Sequence, residues 1–432
     1  MKKVYAVFEN DRVLKVIFPV FLVVYLFFDA ILIYLSPWQV NNNDKYKELF
    51  SSFLANGYYD SVSNGTSILY NVALAFMYRF TQSVDGAFFT VNLLSDFALL
   101  VSGTVFCYKI GGKNKYFYVI LSCYLLKVLT IKSYFRASND SFLGVFISIL
   151  LYFLIYKIYD SRKKYTTFAI AGLLLSICLA IRVTAFLLFP LVVIAFLYWI
   201  KNSEIDRIIR IKLLAVFAFT AVVFTVAFHF PSLATHQKLS YESKEPDMTV
   251  NWMQRNYMGL KKIENGQEPM HRDAIWNKTP FEDVRDYVHA NGEESLPNSF
   301  TKVIARDPVL LFKMTVYNIV SSLGEFLRFW VFLLLLPLIS WFRGRLFTRE
   351  NLPMVLFAVY LVALSTVCFS FIEFRWFIGY EVLIPVSILL ILNNLRYFPD
   401  FSKANIIIAA SLGILMLINL KTILSKIALL HS

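Results

Sequence analysis

The chain is poor in charge: only 16% of its 432 residues are Asp, Glu, Lys or Arg, while 58% are apolar and 17% aromatic. A soluble globular domain carries about 25% charged residues, so soluble, secreted, disordered and nucleic-acid-binding classes are excluded. Cysteine is scarce as well. Cys107, Cys123, Cys178 and Cys368 all lie in apolar runs, with neither metal-ligand spacing nor a place in a polar loop, which argues against a disulfide framework or zinc site. There are 15 glycines and no visible inverted repeat, which argues against a transporter built from broken helices in matched halves. P-loop, G-x-G-x-x-G, G-x-S-x-G, H-E-x-x-H and C-x-x-C signatures are all missing. The histidines His229, His236, His271 and His289 are irregularly spaced.

What is present is long apolar runs, such as Ile17–Leu35, Phe142–Tyr156, Leu213–Phe228 and Trp330–Trp341. The longest approach the ~20 residues that cross a bilayer. The sequence therefore predicts an all-α polytopic membrane protein. Eleven spans can be drawn, at about 16–36, 88–108, 116–131, 141–157, 166–181, 183–200, 213–230, 327–342, 353–370, 377–393 and 405–420. The first, behind the charged Met1–Lys15, is expected to be a retained anchor.

The net charge of +13 is chiefly a topology signal. With the N-terminus inside, twenty Lys and Arg fall on inner segments and nine on short outer segments and the tail, as the positive-inside rule requires. Counting Thr66–Phe80 as a span would reverse every later loop, so it is expected to lie as an interfacial helix on the outer leaflet. The predicted organisation is an N-terminal membrane module (1–230) with outer loops 37–87 and 131–140, a large outer segment (231–326) and a C-terminal membrane module (327–432). Within that segment, Pro231–Asp307 holds twelve of the 29 acidic residues together with Trp252, Tyr257, Trp276 and Phe281, a composition suited to a small folded cap.

The candidate chemistry lies in charged residues at the outer ends of spans, where ionisable groups are costly. Asp44 precedes a helix-like segment Lys45–Asn56 with a glycine stop at Gly57; Asn43 or Asp44 could equally cap that helix. Arg136 and Asp140 flank the start of the fourth span, where Asn139 or Asp140 could also be a cap. Arg182 sits between two spans with almost no loop, to snorkel or to bind an anion. Glu373, Arg375 and Trp376 form a short outer turn, followed by Glu381; a solvated turn is the simpler alternative. A carboxylate on this face can take the proton of an attacking hydroxyl, and arginines can stabilise a phosphate leaving group.

In layout, the chain resembles the GT-C superfamily of membrane glycosyltransferases, which use polyprenyl-phosphate-linked sugars. The resemblance is carried by Asp44, Tyr46 and Gly57-Tyr58-Tyr59 followed by Thr66–Phe80, by Arg136 with Asp140, by Arg182-Val-Thr-Ala-Phe with Pro190, and by Glu373–Pro385. It departs from the family in having a lone Asp44 behind Asn41-Asn42-Asn43, with Glu48 one turn on, and Leu69-Tyr70-Asn71 where a Tyr-Pro pair is familiar.

The resemblance implies a sugar transfer, with inversion, from a polyprenyl-phosphate donor to a glycan or glycolipid acceptor on the periplasmic or luminal face; the low glycine with many Phe, Lys, Asn and Ile residues is compatible with a bacterial inner membrane. Asp44 and Asp140 would be the catalytic carboxylates. Arg136, Arg182 and Arg375 would bind the donor phosphate, and Tyr46, Glu48, Tyr58, Tyr59, Glu373 and Trp376 the substrate or acceptor. No cofactor is required, though magnesium or manganese is compatible; no metal ligands and no nucleic-acid partner are expected. A polysaccharide polymerase and a lipid-linked glycan transporter are the alternatives.

Overall fold

The computed structural model describes residues 11–35, 45–63, 67–112, 116–131, 138–160, 164–239, 249–334, 336, 348–393, 414, 417, 421 and 425. Among these the chain is all-helical, with no strand. Five helices are long and apolar enough to cross a membrane: Val84–Gly111, Asp140–Lys157, Lys164–Ile181, Val183–Asn202 and Arg207–His236. Leu22–Tyr34, Leu352–Val367 and Leu383–Asn393 are apolar but shorter. Of the stretches at 405–420 and 327–342, all of the first but 414 and 417, and residues 335 and 337–342 of the second, lie outside the described residues.

The chain divides into two compact units. The first comprises Met1–Glu242, Leu327–Phe357 and Phe377–Ser432. It opens with α1 (Asp11–Leu35), α2 (Lys45–Ser63) and α3 (Ile68–Thr81). Gly57, at φ 79°, breaks α2 where the sequence has its glycine stop, a left-handed conformation that glycine adopts without steric cost. Under this break Tyr46, Phe50, Tyr70, Leu74, Phe88 and Val91 form one buried cluster. It ties α2 and α3 to the start of α4 (Val84–Gly111), which begins at the Ser83 cap.

Then follow α5 (Phe117–Ile131), α6 (Asp140–Tyr152, extended by a π-helical turn Phe153–Lys157) and α7 (Lys164–Ile181). A 3-10 turn, Val183–Leu187, leads into α8 (Leu188–Asn202) and α9 (Arg207–His236). The closest pairing is between α7 and α9. A Cβ at Gly172 would stand 2.4 Å from the Phe217 carbonyl, so only glycine admits this approach. One turn on, the Ser176 hydroxyl donates to the Ala221 carbonyl at 2.8 Å.

The second unit comprises Ser243–Phe326 and Ala358–Trp376. It contains α10 (Trp252–Glu264), α11 (Phe281–Asn291), α12 (Phe300–Arg306) and α13 (Pro308–Trp330), the last running beyond the unit at its C-terminal end, and most of α14 (Leu352–Val367). Asn251 and Gln254 close a reciprocal cap on α10, each side chain meeting the other's backbone N–H. Tyr257, Leu260, Ile275, Val284, Val303 and Phe369 form the core. Arg255 is buried there, donating to the Thr279 and Trp276 carbonyls at 2.8 and 2.6 Å, with its guanidinium against the rings of both Trp252 and Phe281. Burial pushes its pKa down. A last helix, α15 (Leu383–Asn393), belongs to the first unit, and Asn393 donates to the Ile110 carbonyl at the end of α4.

Candidate functional site

Short connections join the long helices Asp140–Lys157, Lys164–Ile181, Val183–Asn202 and Arg207–His236, so chain turns among the described residues of the first unit collect at two ends. One end gathers Ile110 with Asn393, Arg210 with the Ile200 carbonyl, and Arg349 over the Tyr159 ring. The other gathers most of the candidate residues that this unit describes.

Arg182 has an extended backbone (φ −157°, ψ 143°) between α7 and the 3-10 turn. The two helices are joined there without a loop, and the carbonyl of Ile181, freed from helical pairing, takes side-chain donors instead. It accepts from Ser67 Oγ at 2.6 Å and from Asn139 Nδ2 at 3.4 Å. Asn139 Nδ2 also donates to Ser67 Oγ at 3.3 Å, and its Oδ1 accepts from the Tyr46 hydroxyl at 3.2 Å. Asn139 occupies the cap position of α6, yet its side chain makes no capping bond. Fully buried, it serves long-range contacts, and Ser138 Oγ meets the Asp140 N–H at 3.3 Å in its place.

Asp140 is held from both sides. Ser138 donates to its Oδ2 at 2.8 Å, and Arg182 Nη1 donates to its Oδ1. The two side chains are only 6% and 12% exposed, so this is a largely desolvated ion pair. Arg182 thus meets an anion of its own chain. Beside the pair, the Tyr70 hydroxyl lies 3.0 Å from the Ser138 carbonyl and 3.2 Å from Asn92 Oδ1.

Asp44 and Arg136 lie outside the described residues. Tyr46, two positions after Asp44, joins Asp140 and Arg182 through Asn139. Tyr58 donates to the Phe228 carbonyl at 2.8 Å, and burial raises its hydroxyl pKa. Glu48 and Tyr59 are exposed. Glu373, Arg375 and Trp376 lie together in the second unit. There Arg375 Nε donates to the Glu373 carboxylate, and the Trp376 N–H to the Glu373 carbonyl at 3.0 Å. The Tyr360 hydroxyl donates to the Trp376 carbonyl at 2.6 Å.

Asn139, Ser67, Ser138, Tyr70 and Asn92 are the parts of this network that patterning did not single out. Their signal in the sequence is slight: Ser67, Ser138 and Asn139 are small polar residues beside a helix start, each plausible as a cap, while Tyr70 and Asn92 lie inside helices. A second polar centre lies deeper in the first unit. Glu381 is fully buried, its Oε1 accepting from Trp330 Nε1 at 3.0 Å, with Lys127 close enough to act on it electrostatically. Lys127 Nζ stands 3.3 Å over the Phe329 ring.

Among the described residues no three His, Cys, Asp or Glu converge as metal ligands. Compared with protein-family models, curated proteins and solved structures, the chain matches none.

Proposed function

We propose that this is a polytopic membrane glycosyltransferase, with eleven spans, that moves a sugar from a polyprenyl phosphate to an acceptor hydroxyl on the outer face of a bacterial inner membrane. The reading rests on the sequence layout. The observation that supports it best is the hydrogen-bonded path Tyr46–Asn139–Ile181, which joins the start of α2, two positions after Asp44 in the sequence, to the neighbours of the Asp140–Arg182 ion pair. A transferase of this class needs a carboxylate base and a cation for the leaving phosphate at one end of its helices.

In the proposed reaction the Asp44 carboxylate takes the acceptor hydroxyl's proton as its oxygen attacks the anomeric carbon. The bond from that carbon to the phosphate oxygen breaks, its electron pair leaves with the polyprenyl phosphate, and the configuration inverts. Arg182, oriented by Asp140, offsets the charge on the departing phosphate. Arg136 and Arg375 are assigned the same task by the resemblance. Tyr46, Glu48, Tyr58, Tyr59, Glu373 and Trp376 are assigned to substrate or acceptor binding on the same ground.

The test is Asp44→Asn in purified protein reconstituted with a polyprenyl-phosphate sugar and membrane glycan acceptors. Loss of transfer at least a hundredfold, with unchanged gel-filtration behaviour, is expected; undiminished transfer refutes the base assignment. Mass spectrometry of cell-envelope glycans with and without the protein identifies sugar and acceptor. Accumulation of single repeat units would point to a polymerase instead.

A further inference from the structure

Helix α13 has a packed face and, opposite it, an open apolar face. One face, with Leu310, Met314, Asn318 and Ser322, is buried, the first two in the core of the second unit. The Asn318 side chain donates to the Ser370 carbonyl at 2.8 Å. The other face carries Val309 (60% exposed), Phe312 (69%), Val316 (41%), Val320 (63%) and Leu323 (39%). At 3.6 residues per turn these five fall within about 80° of arc and run for about 21 Å along the helix.

The stripe is concentrated: between Ser243 and Phe326 the only other exposed large apolar side chains, among the described residues, are Met270, Tyr287 and Ile304. Elsewhere the surface of this segment is that of an ordinary solvated domain, rich in ion pairs such as Lys261–Glu264, Lys262–Asp283 and Lys302–Glu294. A continuous apolar stripe on the open face of an otherwise solvated unit marks a surface that is covered, by hydrocarbon or by a partner.

We propose that this stripe of α13 lies in the membrane, with lipid acyl chains as its occupant, and holds the second unit against the bilayer surface. The identity of the occupant follows from the rest of the chain. The stripe's own helix ends at Trp330, the sequence that follows it is apolar as far as Trp341, and five helices of the same chain are long and apolar enough to cross a membrane. One of those, α9, presents the same kinds of side chain at similar exposure, with Phe219 at 71% and Val222 at 62%. The stripe is open on one side only, as an interfacial helix is, with its opposite face packed on protein. Lys313, 58% exposed beside the stripe and paired with Glu264, fits an interfacial depth at which its ammonium stays in the headgroup layer.

The proposal is tested by spin-labelling single cysteines at positions 312, 316, 320 and 323 in the full-length protein, in nanodiscs of phosphatidylethanolamine and phosphatidylglycerol. The background is Cys368→Ala, the other three cysteines being buried. Glu293→Cys, in the exposed loop, is the aqueous control. Collision with oxygen is expected to exceed collision with a water-soluble nickel chelate severalfold at the stripe positions, and the order to reverse at 293. Nickel access at 316 and 320 equal to that at 293 would overturn the proposal in favour of a solvated face. Low access to both reagents would overturn it in favour of a protein partner, such as a second copy. Where one labelled variant elutes as aggregates, the remaining stripe positions report the same face and decide the outcome.

Discussion

The Tyr46 hydroxyl donates to Asn139 Oδ1 at 3.2 Å, joining residues 93 apart in sequence. Asn139 Nδ2 in turn donates hydrogen bonds to Ser67 Oγ and the Ile181 carbonyl. One buried amide therefore fastens the start of α2, the start of α3 and the end of α7. Tyr46→Phe removes one bond and is expected to cost about 1 kcal/mol; Asn139→Ala strands several buried partners and should cost about 2–3 kcal/mol. The double variant should cost less than the sum, by about 0.5–1.5 kcal/mol, because Asn139→Ala has already broken the bond that Tyr46→Phe removes. Thermal unfolding of the four proteins in detergent measures this coupling, and strict additivity would show that the bond contributes nothing.

The Asp140–Arg182 pair makes a different prediction, because both groups are charged and nearly desolvated. Removing one partner leaves the other as a buried charge, at a cost of about 3–5 kcal/mol, whereas replacing both with apolar residues of similar volume is often close to neutral. Arg182→Met and Asp140→Leu are each expected to lower the thermal midpoint by many degrees, and the double variant to recover most of the loss. Transfer activity should not return with stability, since the proposed phosphate site needs the guanidinium. A stable and fully active double variant would separate the fold from the proposed chemistry and remove Arg182 from the site.

The sequence made some of this arrangement readable and hid the rest, for physical reasons. Apolar runs long enough to cross a bilayer must pair their backbone groups within a helix, so Val84–Gly111 and Arg207–His236 were visible from composition and length. The stop at Gly57 was visible because few other residues take φ 79° at low cost. Asp140 and Arg182 could be singled out because charge at a span end is rare, but their pairing across 42 residues could not. Locally, Asn139 looks like any helix cap; only the folded chain shows its amide turned away to Tyr46 and Ile181. Two elements were missed for opposite reasons. Lys313, Glu325 and Arg328 break up the hydropathy of α13 and conceal its open apolar face. Ala358–Trp376 reads as the end of a span and an outer turn, yet clusters with Ser243–Phe326, a grouping that depends on contacts such as Tyr257 with Phe369.

The centre formed by Lys127, Glu381 and Trp330 gives the sharpest test of how opposite charges are tolerated inside the first unit. Lys127 is 1% exposed and Glu381 fully buried. Lys127→Met and Glu381→Gln each remove one charge and leave the other in surroundings that solvate it poorly, so each should be destabilising by several kcal/mol. Glu381→Gln keeps an oxygen to accept from Trp330, whereas Trp330→Phe deletes the donor that meets Oε1 at 3.0 Å and should cost about 1–3 kcal/mol. The combination Lys127→Met with Glu381→Gln removes both charges while keeping the indole's acceptor, and is expected to be more stable than either single variant. If the two single variants unfold at the wild-type temperature, the charges are solvated and the centre contributes no electrostatic coupling. If the double variant is worse than both, the pair is held by packing and shape, and the Phe329 ring 3.3 Å beneath Lys127 Nζ becomes the contact to change next.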